Sequence, residues 1–194
     1  MVIKFFDMFA GIGGFRSGFE AIGGFECVGY CEIDKYAKRA YEAMYDTGGE
    51  LYFDDARKIV PEQLPDFDLL VGGFPCQSFS IAGARKGFDD TRGTLFFEIA
   101  RIAAVKKPKY LFLENVPGLL NHDTGRTFET ILCTLDELGY DVCWQVLNSK
   151  NFGVSQSRNR VFIIGYLRGQ CAGEVLSFTQ TSGKALVQRK ANAG

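Results

Sequence analysis

The sequence predicts a doubly wound α/β fold with a mostly parallel sheet and an antiparallel last strand. Three observations carry this. Short apolar runs alternate with amphipathic stretches through most of the chain, the rhythm of β–α–β units. The first run enters a glycine-rich turn, Asp7-Met8-Phe9-Ala10-Gly11-Ile12-Gly13-Gly14, and the second ends on an acid, Glu32. Strand, glycine turn, helix, strand, acid is the first half of a doubly wound nucleotide fold. The last two runs, 142–147 and 160–166, are joined by a segment too short for a crossover helix, so they pair antiparallel.

Taken in order, residues 2–6 read as a buried strand. A helix follows over Phe15 to Ile22, with Phe15, Phe19 and Ile22 on one face, and Gly23-Gly24 stops it. Phe25 to Cys31 is the second strand. Asp34 caps a helix over Lys35 to Tyr45. Leu51-Tyr52-Phe53 is a short strand, 61–66 a connector, and Phe67 to Gly72 the fourth strand, leading into Gly73-Phe74-Pro75-Cys76. A long loop through about Arg92 carries Gly83, Arg85, Lys86 and Gly87; loops of that length in compact domains are usually functional. Thr94 to Val105 is a helix, Tyr110 to Leu113 a strand ending in Glu114-Asn115, and Thr127 to Leu138 a helix stopped by Gly139. Lys106, Lys107 and Lys109 read as a solvated helix end, and His122 as a turn residue. Residues 179–194 show no clear apolar face and read as a frayed tail or the stump of something longer.

The 194 residues suffice for one domain with a core, and the hydrophobic and charged fractions, 46% and 23%, are those of a globular protein. A net charge of −1 excludes a protein that grips nucleic acid by bulk positive charge, though not one with a local basic face. The six cysteines form no C-x-x-C pair and there is one histidine, which argues against zinc, so no metal is expected. Five cysteines read as core residues; Cys76 alone has special neighbours. No run approaches the ~20 apolar residues of a membrane span, and the first residues are not a signal peptide, so a cytoplasmic location and no membrane partner are expected.

Four clusters carry chemistry. The glycine turn with Glu32 suits a ligand that approaches the backbone and offers ribose hydroxyls; the spacing departs from G-x-G-x-x-G and favours an adenosyl ligand without a pyrophosphate. Cys76, presented by Pro75 beyond a strand end, sits where a reactive thiolate would be displayed. Glu114 and Asn115 end the neighbouring strand, where a sheltered carboxyl acts as donor or acid. Arg158 and Arg160 in Gln156-Ser157-Arg158-Asn159-Arg160 would point to one side of an extended segment. Each has a plainer reading alone: a tight turn, a buried cysteine, a turn cap, a solvated edge. Together they fall on one rim of a doubly wound sheet.

In order along the chain, Phe6 to Arg16, Glu32-Ile33-Asp34, Asp55, Gly73-Phe74-Pro75-Cys76-Gln77-Ser78-Phe79-Ser80, Arg92-Gly93-Thr94-Leu95-Phe96, Glu114-Asn115-Val116 and Gln156 to Arg160 resemble the catalytic domain of the DNA (cytosine-5)-methyltransferases. The resemblance covers roughly residues 3–167 and implies a Rossmann-like S-adenosylmethionine-dependent methyltransferase fold. It implies that Phe9, Ala10, Gly11, Gly13 and Gly14 receive the methionine part of S-adenosylmethionine. Glu32 would bind the ribose, Ile33 pack on adenine and Asp55, with Ala56 beside it, take the adenine amino group; Gly73, Pro75 and Leu95 would complete the pocket. Cys76 would be the nucleophile toward a flipped-out cytosine in double-stranded DNA. Glu114 would act at the ring N3, Asn115 help orient that edge and Arg160 hold the exocyclic oxygen, while Arg158 would steady the site or a phosphate; the loop from Gln77 to Arg92 would close over the base.

The resemblance also implies a target-recognition region and a closing helix, which residues 168–194 are too short to hold. The expectation is therefore a catalytic unit over 1–167, a tail or stump over 168–194, and a second polypeptide or missing segment that supplies recognition. Alone, the chain is expected to bind cofactor weakly and methylate poorly. Competing readings are an RNA (tRNA) cytosine-5 methyltransferase and a catalytically silent accessory DNA-binding subunit; a nicotinamide-dependent oxidoreductase is disfavoured by the glycine spacing.

Overall fold

A computed structural model describes residues 2–75 and 95–170. Cys76, the loop after it through Thr94, and the tail beyond Gln170 lie outside the described residues. Among the described residues the strands are β1 (Ile3–Met8), β2 (Phe25–Cys31), β3 (Leu51–Phe53), β4 (Leu69–Gly73), β5 (Tyr110–Asn115), β6 (Tyr140–Asn148) and β7 (Asn159–Leu167). They form one sheet in the order β3-β2-β1-β4-β5-β7-β6. The first five are mutually parallel, and β7 runs antiparallel to both β5 and β6, as the short connection before it requires.

The helices are α1 (Gly14–Ile22), α2 (Lys35–Met44), α3 (Leu95–Lys106) and α4 (Arg126–Glu137). Asp34 caps α2 through its carboxylate, which accepts the amides of Tyr36 and Ala37 at 2.7 and 2.9 Å. The period-2 alternation of the strands divides the core. Phe6, Met8, Leu70, Leu111, Leu113, Val161 and Ile163 face α3 and α4, against Phe96, Ile99, Ile102, Ile131 and Leu135. Phe5, Leu69 and Val71 face the other way, onto Phe19 and its neighbours Phe15 and Phe25. A third cluster of Ala10, Tyr30, Tyr41 and Tyr45 lies beneath the glycine turn. Among the described residues no helix is long and apolar enough to cross a membrane.

Three expectations are corrected. β1 continues through Asp7 and Met8, because both are paired on two sides, with Tyr30 and Cys31 of β2 and with Val71 and Gly72 of β4. β5 likewise runs on past Leu113 through Glu114 and Asn115, which are paired strand residues. Of the lysines at the end of α3, Lys107 is exposed, but Lys106 and Lys109 are not simply solvated: Lys106 donates to the Leu64 carbonyl and pairs with Asp66, and Lys109 pairs with Asp68 at 2.9 Å. They tie the segment before β4 to the turn before β5. Of the cysteines outside Cys76, Cys31 is buried, Cys27 and Cys143 are half-buried, and Cys133 is exposed on α4; Cys171 lies outside the described residues.

Candidate active site

The carboxyl ends of β1, β2, β4 and β5 open on one rim, where open α/β sheets bind ligands. At the end of β1 the chain takes a left-handed conformation at alternate residues: Phe9 (φ 55), Gly11 (φ 57) and Gly13 (φ 87). A bulky residue is rarely found there, so Phe9 holds a strained backbone where glycine would be relaxed. This explains the irregular glycine spacing. The turn has three left-handed positions, and Phe9 fills the first of them.

Backbone and side-chain bonds then lock the turn. The Ala10 amide donates to the Cys31 carbonyl at 3.0 Å, and the Gly13 amide to the Ala10 carbonyl at 2.8 Å. Glu32, buried at the end of β2, accepts the Gly11 amide on one oxygen and the Asp34 amide on the other, both at 2.7 Å. One carboxylate thus joins the loop after β1 to the loop before α2. Beside it Ile33 is 72% exposed, an apolar surface with no core beneath it. Asp55 caps the short 3-10 turn Ala56–Lys58 and is paired with the Arg57 guanidinium at 2.8 Å, which holds its carboxyl below the usual range. Ala56 is buried under that turn.

An acid bridging two loops, an open backbone turn and an exposed apolar side chain match the chemistry of an adenosyl ligand: hydroxyls, a zwitterion and a flat base. The residues present therefore fit S-adenosylmethionine. Leu95, the first residue of α3, is half-buried.

The second half of the rim lies at the ends of β4, β5 and β7. Glu114 and Arg160 are on the same sheet face as Phe112 and Phe162, the face of α1. The Arg160 Nε lies 2.5 Å from Glu114 Oε1, and both side chains are about a quarter exposed or less, at 20% and 24%. Gly73 stands opposite: a Cβ there would lie 3.1 Å from Glu114 Oε2, so the carboxylate occupies the space a side chain would need.

Asn115 faces the other way. It is 2% exposed, its Nδ2 donates to the Phe74 carbonyl at 2.7 Å, and its Oδ1 accepts the Val116 amide at 2.8 Å. It fixes the backbone two residues before Cys76 and does not share the face of Glu114, as a strand's alternation dictates. Pro75 is exposed at the rim, and Cys76 itself lies outside the described residues.

Arg158 lies just outside β7, whereas Arg160 is within it. Arg158 precedes β7 in an exposed hairpin, and its backbone is bonded to Ser149, the Arg158 amide donating to Ser149 Oγ at 3.1 Å and the Ser149 amide to the Arg158 carbonyl at 3.0 Å.

Sequence reasoning missed the polar cluster under the turn. Arg16, 5% exposed, donates to the Asp46 carbonyl and to Glu50, each at 2.8 Å, and pairs with Glu20 at 2.9 Å. Its guanidinium covers the rings of Tyr41 and Tyr45. The Tyr41 hydroxyl reaches Asp7 Oδ2 at 3.4 Å. Burial pushes the Asp7 carboxyl up to about 7, against the opposing pull of Tyr41 and Arg16. The only sequence signal was an arginine and an aspartate set among apolar positions.

The family described as C-5 cytosine-specific DNA methylase matches residues 3–190. The chain is 52% identical over 165 residues to the type II methyltransferase M1.ScrFI of Lactococcus lactis subsp. cremoris, spanning 85% of the chain and 42% of that relative. It is equally identical, at 52% over 165 residues, to the type II methyltransferase M.NgoBI of Neisseria gonorrhoeae, spanning 84% of the chain and 50% of that relative. The solved Dnmt2 methyltransferase of S. pombe superposes with a TM-score of 0.69 at 20% identity, over 90% of this chain and 52% of that one, a likeness of fold alone. The chain thus spans half or less of the length of these curated relatives. On the family match and these identities, the chain belongs to the C-5 cytosine-specific DNA methylase family.

Proposed function

We propose that this chain carries the cofactor seat and the base-capturing residues of an enzyme that methylates carbon-5 of cytosine in DNA. The observation that supports this best is the Glu114–Arg160 pair, at 2.5 Å, on the rim one strand away from the segment that delivers Cys76. A carboxyl and a guanidinium side by side match the ring N3 and exocyclic oxygen of a cytosine edge.

S-adenosylmethionine, when bound, supplies an electrophilic methyl group. Glu32 and the Phe9-to-Gly14 turn would hold it, Ile33, Asp55 and Ala56 would receive its adenine, and Gly73, Pro75 and Leu95 would complete the pocket. Carbon-5 of cytosine is a poor nucleophile inside its aromatic ring. The Cys76 thiolate adds to carbon-6, and the electron pair displaced onto the ring makes carbon-5 enamine-like. Glu114 shares a proton with N3 and so stabilises the electron-rich ring. Arg160 holds the exocyclic oxygen, Asn115 keeps the Cys76 segment in register, and Arg158 steadies the site or a phosphate. After carbon-5 is methylated, its proton leaves to a base and the thiolate is expelled, restoring the ring. The base must be out of the duplex for this, at a cost of a few kcal/mol.

Because the chain spans half or less of the two curated relatives above, residues 1–167 are assigned the cofactor and capture chemistry. Target choice is assigned to sequence outside them, on a missing segment or a second polypeptide. The DNA reading is favoured over the RNA one because relatives at 52% identity are type II methyltransferases.

The test is covalent capture on duplexes carrying 5-fluorocytosine, in DNA and in RNA, with the chain alone and joined to the unmatched part of a type II relative. Capture of DNA by the joined protein, lost in Cys76→Ser, is expected; the chain alone should turn over poorly. Capture of RNA but not DNA would sink the DNA assignment, and equal capture by Cys76→Ser would sink the nucleophile.

A further inference from the structure

Beneath the glycine turn lies a group that the chemistry above does not use. We propose that Tyr45 is a positioning residue for the cofactor seat, acting through the Gly13 carbonyl; this rests on the reading of that turn as the seat of S-adenosylmethionine.

Tyr45 follows the last residue of α2 and is 8% exposed. Its hydroxyl donates to the Gly13 carbonyl at 2.8 Å, a bond buried from solvent. The same carbonyl accepts the Ser17 amide at 2.8 Å, the first bond of α1. The carbonyl of Gly13 and the N–H of Gly14 belong to one rigid trans peptide and point in opposite directions. Holding the oxygen from below therefore aims the Gly14 N–H outward, together with the first amides of α1, which have no acceptor within the helix. These are the donors a ligand at this turn would meet.

The hold is itself braced. The Arg16 guanidinium lies 4.7 Å from the Tyr45 ring centre, and the Tyr41 ring meets Tyr45 edge-on at 4.9 Å. Arg16 is fixed by Asp46, Glu50 and Glu20. A Cβ at Gly13 would lie 2.3 Å from Tyr45 Cε2, so the ring occupies the place of the missing side chain. Tyr45 thus sets the orientation of a peptide on the ligand side of the turn from a position on its inner side.

The experiment compares Tyr45→Phe with Tyr30→Phe in the 194-residue chain. Tyr30 also loses one hydroxyl bond, to Glu42 at 2.9 Å, in the same aromatic cluster, but that bond does not touch the turn. Hydrogen–deuterium exchange of the ligand-free chain should rise at residues 10–17 in Tyr45→Phe and stay at the wild-type level there in Tyr30→Phe. Calorimetric binding of S-adenosylmethionine should weaken about tenfold in Tyr45→Phe and less than about twofold in Tyr30→Phe, one hydrogen bond's worth of difference. Unchanged exchange at the turn, or equal loss of affinity in both variants, overturns the proposal. If the wild-type chain binds no S-adenosylmethionine even at millimolar concentration, the reading of the turn as its seat fails, and exchange still decides whether Tyr45 holds Gly13.

Discussion

The two halves of the rim are built in opposite ways. On the β1–β2 side, every loop is tied down more than once: Glu32 bridges Gly11 and Asp34, Tyr45 holds Gly13, and Arg16 locks α1 to the residues after α2. On the β4–β5–β7 side, among the described residues, the Glu114–Arg160 ion pair stands partly open to solvent, and one buried amide, Asn115, steadies the strand end that leads to Cys76. On the proposed reading, the first half is preorganised for a ligand held in one pose. The second keeps its polar groups paired with each other, so that an incoming base would exchange one set of hydrogen bonds for another.

The comparison breaks most visibly at Arg160. Arg160→Ala removes a partly exposed pair, so unfolding stability should change by about 1 kcal/mol or less. Base capture, in the joined protein that the proposed function calls for, should fall about 100-fold or more, the usual loss when a donor aimed at developing charge is removed. Urea midpoints and capture rates on fluorinated DNA check the two numbers together. A large stability loss with capture retained would make the pair a structural clamp.

On the other half the order should reverse. Gly13→Ala forces an alanine into a left-handed backbone at φ 87 and drives its Cβ into the Tyr45 ring. Left-handed strain and overpacking together predict a loss of roughly 2–5 kcal/mol. Thermal unfolding measures it, and a variant as stable as wild type would show that the turn is not rigid.

This asymmetry also governs what could be read from the sequence. The parallel sheet and its antiparallel end were legible because apolar runs, glycine stops and the Asp34 cap are local signals, and they needed only adjustments of strand ends. Those adjustments matter at β5. The strand carries Glu114 and Asn115 to opposite faces, which a reading that ended the strand at Leu113 did not specify. Arg158 and Arg160 were grouped as an extended segment, and β7 itself begins at Asn159. The buried network of Asp7, Arg16, Tyr41, Tyr45 and Glu50 was not legible. Its partners lie up to 34 residues apart, and nothing in a local pattern marks an arginine as covered by two aromatic rings.

Asn115 sharpens the comparison, since it is a fully buried tie on the β4–β5 side. Asn115→Ala leaves the Phe74 carbonyl and the Val116 amide without this partner and should cost about 1–3 kcal/mol. Asn115→Asp should cost more above the carboxyl's own titration, because a charged acceptor would then face the Phe74 carbonyl across 2.7 Å. Denaturant titrations at pH 5 and pH 8 separate the two; identical curves for Asn115→Asp at both values would argue that the carbonyl swings away.

At Asp7 the expected change is a slope in pH, not a fixed loss. The carboxyl is 1% exposed, its Oδ1 has no hydrogen-bond partner among the described residues, and burial pushes it up to about 7. An unfolded aspartate titrates near 3.9. Between those values the folded chain keeps a proton that the unfolded chain has lost, so stability falls as pH rises through the window, by at most about 1.4 kcal/mol per unit. Arg16 and the Tyr41 hydroxyl oppose this, Glu32 and Glu50 add to it, and Glu50 is itself raised by burial, so it contributes a slope of the same sign. Asp7→Asn keeps the shape and removes the titration. Urea midpoints of the variant should therefore decline less between pH 4 and pH 7 than those of the wild type, with the remaining decline owed to Glu50. Parallel curves for the two proteins would mean that Asp7 stays ionised in the folded chain, with Arg16 near enough to outweigh its burial.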